Sequence, residues 1–174
     1  MTNKDLITQY VDTGMGIPEY QFNKLSSSDK KTYLRKLGIG IKNNPNNIRY
    51  YYGDVPEDIQ LDVVMNDPYQ IGLLKNPTEA AQMAAFNHAD NDEIDLVIAI
   101  MTTNKIELCD ALQLALVDYD PSIMGHIKNQ SEVAQMALIK KSLEDGGDEN
   151  LVRFLKDPSD KVLLYYTELK DKNR

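Results

Sequence analysis

The chain of 174 residues has no tryptophan, three phenylalanines, two histidines and a single cysteine. Each shortage excludes something. Cys109 alone cannot close an internal disulfide, so the fold must hold by burial, as expected of an intracellular protein. At an apolar position of a helical pattern it reads as a small core residue. No stretch reaches the roughly 20 apolar residues that a membrane helix needs, and the opening MTNKDLITQY lacks the apolar segment of a signal peptide. The expectation is a cytoplasmic protein without membrane contact. There is no G-x-G-x-x-G, Walker motif or nucleophile elbow, and His88 and His126 lie far apart in the sequence. No catalytic constellation assembles from this material, so a non-enzymatic protein without cofactor is expected.

His88, Asp90 and Asp92 in HADNDEID are spaced like metal ligands, but a calcium loop starting at Asp90 would need glycine at its sixth position, where Asp95 stands. No metal site is expected there. His126 falls in an apolar short segment and reads as a partly buried structural histidine. EDGGDE at 144–149 reads as a reversal between helical units.

What the chain does have is ten tyrosines, an apolar mass of Leu, Ile, Val, Ala and Met that favours helices, and a repeat. LLKNPTEAAQMAA from Leu73 and HIKNQSEVAQMAL from His126 share seven of thirteen positions at an offset of 53. Read as helix starts, Asn76 and Asn129 are N-caps with Glu79 and Glu132 three residues on. The same grammar recurs at Asp54, Asn104 and Asp157, a spacing of 22, 28, 25 and 28 residues. Each longer helix follows a shorter element. Pro45, Pro68 and Pro121 open three of these, with apolar residues three and six places later: Ile48/Tyr51, Ile71/Leu74 and Met124/Ile127.

Two short helices expose as much apolar surface as they cover, so such units must stack. The predicted fold is all-α, an α-solenoid of short helix-turn-helix repeats in units near 45–67, 68–90, 91–120, 121–147 and 148–174. Residues 1–44 do not follow the repeat and form an atypical helical N-terminal cap, with Ser28 as a helix cap and Tyr33, Leu34, Leu37 and Ile41 on one side. Gln82 and Gln135 lie six residues past the expected caps. They either form a ligand-binding ladder or bond turn backbone in the adjacent unit.

The pattern Asn76-Pro77-x-Glu79-x-x-Gln82-x-x-Ala85 resembles the short HEAT-like repeats of uncharacterised phage and large-virus proteins, over roughly residues 45–166. The resemblance implies binding to proteins or nucleic acid without fixed chemistry. In a viral setting it implies inhibition of a host enzyme or defence complex in the host cytoplasm.

Charge is uneven along the chain. Residues 1–53 carry eight Lys/Arg and four Asp/Glu, whereas residues 54–120 carry two Lys and fourteen Asp/Glu. The acidic block either serves solubility or presents a surface to a basic partner protein. The candidate partner-binding residues are Asp58, Asp62, Asp67, Asp90, Asp92, Glu93 and Asp95, with Tyr50 and Tyr52 as aromatic anchors. The two tyrosines alternatively pack against the N-terminal cap. The competing expectation is nucleic-acid binding by the basic end, through Lys24, Lys30, Lys31, Arg35, Lys36, Lys42 and Arg49 beside Tyr33 and Tyr50 to Tyr52.

Overall fold

In the computed structural model, which describes residues 3–12, 16–143 and 149–172, every regular element is helical. The chain divides into two compact units, Met1–Ile106 and Glu107–Arg174. The sequence reads instead as one continuous domain, with a cap at 1–44 and a repeat array from 45.

The first unit begins with α1 (Asn3–Asp12), α2 (Glu19–Phe22) and α3 (Ser27–Asn43). Ser26, not Ser28, caps α3: its Oγ accepts from the Asp29 N–H at 3.1 Å and donates to Asp29 Oδ2 at 2.9 Å. The buried face of α3 is Tyr33, Leu37, Gly38 and Ile41, while Leu34 is half-buried. A 3-10 turn (Pro45–Tyr50) leads to α4 (Glu57–Asn66), a second 3-10 turn (Pro68–Leu73), α5 (Glu79–His88) and α6 (Ile94–Thr103). The start of the chain packs on this series. A Cβ at Gly38 would stand 2.8 Å from Ile59 Cδ1, so glycine is what lets α4 close on α3.

The second unit holds α7 (Asp110–Tyr119), a 3-10 turn (Pro121–His126), α8 (Glu132–Leu143), a last 3-10 turn (Glu149–Phe154) and α9 (Asp160–Lys172). The starts of α7, its 3-10 turn and α8 follow those of α4, its turn and α5 by 53 residues. The backbone agrees in detail. Asp67 and Asp120 enter their turns at φ/ψ of −153/104 and −148/103, and Leu74 and Ile127 leave them at −83/127 and −84/122. Both aspartates accept from the N–H two residues on, at 3.0 and 2.9 Å. The proline then fixes φ at the first turn position.

The short elements are 3-10 rather than α, and this explains their apolar spacing. With three residues per turn, positions three and six after the proline fall on one line. Ile71 and Leu74, and Met124 and Ile127, are all buried on that line. His126 lies off it and is exposed, contrary to the structural role expected of it.

The longer helices start later than their expected caps. Asn76, Asn129 and Asp157 are replaced by Thr78, Ser131 and Ser159, whose hydroxyls accept from Ala81, Ala134 and Val162 N–H groups at 3.3, 3.3 and 3.4 Å. The cause is tertiary in the two copies. Gln60 on α4 holds the Thr78 N–H at 2.8 Å while donating to Val55 O at 2.8 Å. Gln113 on α7 holds the Ser131 N–H at 2.8 Å and donates to Leu108 O at 2.8 Å. A buried amide from the preceding helix thereby fixes an extended residue as the cap. Asp54 yields to Pro56, without a side-chain cap bond, and Asn104 closes α6 through Nδ2 to Ile100 O at 2.8 Å rather than opening α7. Cys109 stands at the N-cap of α7.

Of the two glutamines singled out in the sequence, Gln135 bonds the backbone of the following element, Lys156 O at 2.7 Å, and Gln82 donates to Pro77 O at 3.2 Å ahead of its own helix. The segment 144–148 lies outside the described residues.

Candidate functional site

The candidate acids occupy two places in the first unit. Asp58 and Asp62 lie one turn apart on α4. Asp62 pairs with Lys42 at 3.0 Å, and this contact raises the lysine pKa. Asp58 is exposed and lies near the half-buried Tyr51, whose phenol is raised first by burial and then by that carboxylate. The second group surrounds the start of α6. Asp90 O accepts from the Glu93 N–H at 2.8 Å, a turn that delivers Glu93 as the α6 N-cap. Asp92 and Asp95 flank it.

Tyr69 reports the potential of this second group. Its hydroxyl is hydrogen-bonded to Glu93, and its pKa is pushed up to about 12 by that bond, by burial and by the charges of Glu93, Asp92 and Asp67. Forming a phenolate beside three carboxylates is costly because like charges disfavour it. Asp67 itself is engaged in its turn, through Tyr69 N–H and Gln70 Nε2, each at 3.0 Å. Asp90, Asp92 and Asp95 are exposed, and among the described residues none has a Lys or Arg partner. Asp92 and Asp95 also suit the positive end of α6. That accounts for one or two acids there, not for the outlying Asp90.

Tyr50 and Tyr52 belong to neither acidic group. Both are half-buried against the N-terminal segment. Tyr52 donates to Ile17 O at 2.8 Å, and Tyr33, fully buried, accepts from Ile17 N–H at 3.1 Å and donates to Tyr50 O at 3.2 Å. The Tyr50 ring lies so close to Gly16 that a Cβ there would overlap it. Phe22 completes the cluster, with ring centroids 5.5 Å from Tyr33 and 5.0 Å from Tyr52. The tyrosines therefore clamp the chain before α2, the alternative that the sequence had left open.

The cations of the first unit are dispersed among local partners. Lys24 lies over Tyr20, Lys30 over Phe22, Lys36 on Thr8 Oγ1, Lys42 on Asp62 and Arg49 on Asn46 O. Lys30, Lys31 and Arg35 nevertheless line one open groove of about 490 Å³ with Ser27, Leu34 and Tyr51. Of the basic cluster that the sequence set beside Tyr50 to Tyr52, these three cations and Tyr51 are the ones the structure gathers at the groove. A smaller cavity of about 230 Å³ lies between Gly53–Val55 and Leu74–Asn76; its amide, Gln60, is bonded at both ends within the protein.

Among the described residues no three His, Cys, Asp or Glu side chains group as metal ligands would. None of the described helices is long and apolar enough to cross a membrane. Comparison with known proteins gave no match to a family model, a curated protein or a solved structure.

Proposed function

We propose that this is a non-enzymatic protein-binding chain whose first unit presents the acids at the start of α6, with Asp58 on α4, to a basic surface of a partner. The observation that carries this reading is the exposed set Asp90, Asp92 and Asp95, without cationic partners among the described residues, with Asp92 close enough to Tyr69 to help raise its phenol. Holding like charges together costs electrostatic free energy that an incoming cationic surface would relieve, raising the association rate and its salt sensitivity.

The same reading takes the fold to be a helical-repeat array of HEAT-like type. What supports this is internal: two copies of the α, 3-10, α unit with matching turn geometry, buried lines and glutamine-held caps. Nucleic-acid binding by the basic end is less well supported. Five of its seven cations have local partners, and Tyr33, Tyr50 and Tyr52 are committed to the N-terminal clamp.

The test is a charge reversal that spares structural acids. Asp58, Asp90, Asp92 and Asp95 are changed to Lys, leaving Asp62 and Asp67 in place, and proteins retained by the tagged chain are compared at low and high salt. A basic protein held by the unaltered chain at low salt and lost by a variant of unchanged helical circular dichroism supports the reading. Equal retention by both overturns it.

A further inference from the structure

One face of α3 is covered over its second half and open over its first. Positions 31, 34, 35, 38 and 42 fall along a single stripe of the helix. At Gly38 and Lys42 that stripe is closed by α4, with Ile59 against the glycine and Asp62 on the lysine at 3.0 Å. One to two turns earlier the same combination recurs uncovered: Leu34 half-buried, Lys31 and Arg35 exposed, and Tyr51 as the far wall of the groove of about 490 Å³. An occupant that brings an apolar side chain together with carboxylates, as α4 brings Ile59 with Asp62, suits this opening.

The chain carries such a ridge itself. Leu96 on α6 is 53 % exposed, and the exposed Asp95 and Asp92 precede it by one and four residues. The helices pack α1 on α3, α3 on α4, α4 on α5 and α5 on α6, so groove and ridge lie on different helices of this row.

We propose that a second copy of this chain occupies the α3 groove through its α6 ridge, Asp92, Asp95 and Leu96 meeting Lys31, Leu34, Arg35 and Tyr51. The inference rests on the reading of the acidic surface as a docking face and names one partner for it. The contact is heterologous, using different surfaces on the two copies, so it leaves a free groove and a free ridge at the ends of any assembly. Each copy carries a net charge of −8, which opposes association at long range. At physiological ionic strength, screening over about 8 Å mutes that repulsion while leaving contact pairs in force.

The open-ended geometry provides the test. Sedimentation equilibrium of the full chain at physiological ionic strength is expected to show a mean mass rising with concentration. The groove variant Lys31→Glu/Arg35→Glu and the ridge variant Asp92→Asn/Asp95→Asn/Leu96→Ala should each remain monomeric, with helical circular dichroism unchanged. Mixed in equal amounts, they should form a one-to-one dimer that grows no further, since each retains one intact half. The mixture also guards against misfolding, because a damaged variant could not complement the other.

A monomeric unaltered chain, variants that associate as it does, or a mixture that stays monomeric would each overturn the proposal. If the unaltered chain is monomeric but shifts a single-stranded oligonucleotide that the groove variant does not, the groove belongs to nucleic acid instead. The groove variant keeps the acidic face. Its retention of a basic partner, with no self-association in the unaltered chain, would overturn this inference and leave the proposed function standing.

Discussion

The α4–α5 segment and the α7–α8 segment correspond at an offset of 53 residues, and they differ in what they show to solvent. Interior and turn positions correspond closely: Gln60 with Gln113, Asp67-Pro68 with Asp120-Pro121, Gly72 with Gly125, Leu74 with Ile127, and Thr78 with Ser131. Outward positions diverge. Asp58 and Asp62 correspond to Ala111 and Ala115, and Tyr69, beside the acids of α6, corresponds to Ser122. The shared set is that which satisfies buried backbone groups and fixes the turn, so the scaffold is specified by hydrogen bonding and close approach. Charge is added on top of it, in the first copy, where the scaffold leaves freedom.

The sharpest test of this comparison is at the paired glycines. A Cβ at Gly72 would stand 2.6 Å from Ile100 Cγ2 and 3.1 Å from Asn104 Nδ2, while one at Gly125 would stand 2.9 Å from Phe154 Cδ1. Gly72→Ala should destabilise by about 2–3 kcal/mol and Gly125→Ala by less, as overpacking against side chains rooted in rigid helices requires. Urea denaturation midpoints measure both. Equal and negligible shifts would mean that the two turns are not closed by their following elements.

Next in size are the paired glutamines. Replacement by Leu strands the cap N–H and the carbonyls that each amide serves, at about 1–2 kcal/mol. Gln113→Leu should cost more than Gln60→Leu, since Gln113 also donates to Asn129 O at 3.2 Å. The same denaturation series ranks them, and a reversed order would show that the copies differ inside as well as outside. Thr78→Ala and Ser131→Ala should each lose about 1 kcal/mol, the worth of an N-cap. Similar losses confirm that both helices begin at these residues, and Asn76→Ala or Asn129→Ala should then change little.

The smallest effect separates the copies by pH. Glu132 accepts from Ser159 Oγ at 2.5 Å and pairs with Lys161 at 3.4 Å, which holds its pKa below the ordinary carboxylate value. A depressed carboxyl stabilises the folded state above its unfolded pKa, and that contribution is lost as pH falls through the folded value. Glu132→Gln should therefore be slightly less stable near neutrality and converge with the unaltered chain in acid. Parallel stability curves across that range would show that the contact contributes nothing.

Much of this was legible in the sequence for a stated reason. A 53-residue echo of Asx-Pro, apolar residues at threefold spacing, and Glu at matching helix starts all arise from local backbone geometry, which one stretch of chain encodes by itself. The helix starts were misplaced by two residues at Thr78 and Ser131 because a residue from the preceding helix chooses the cap. Gln60 and Gln113 share the 53-residue spacing of Gln82 and Gln135, but their hold on the caps depends on a loop that folds back to each of them. The partial burial of Tyr50 against Gly16 and of Tyr52 against Ile17 joins positions more than thirty residues apart, and no local pattern announces it.

The sequence by itself determined the helical class, the repeating turn and the uneven distribution of charge, because periodicity, proline and charge act within a few residues of one another. Only the tertiary structure decided which carboxylates are committed to turns and lysines, which stand without a cationic partner among the described residues near Tyr69, and that Lys31, Arg35 and Tyr51 share a groove. Those outcomes depend on distances between elements separated by loops, and such distances are fixed by packing.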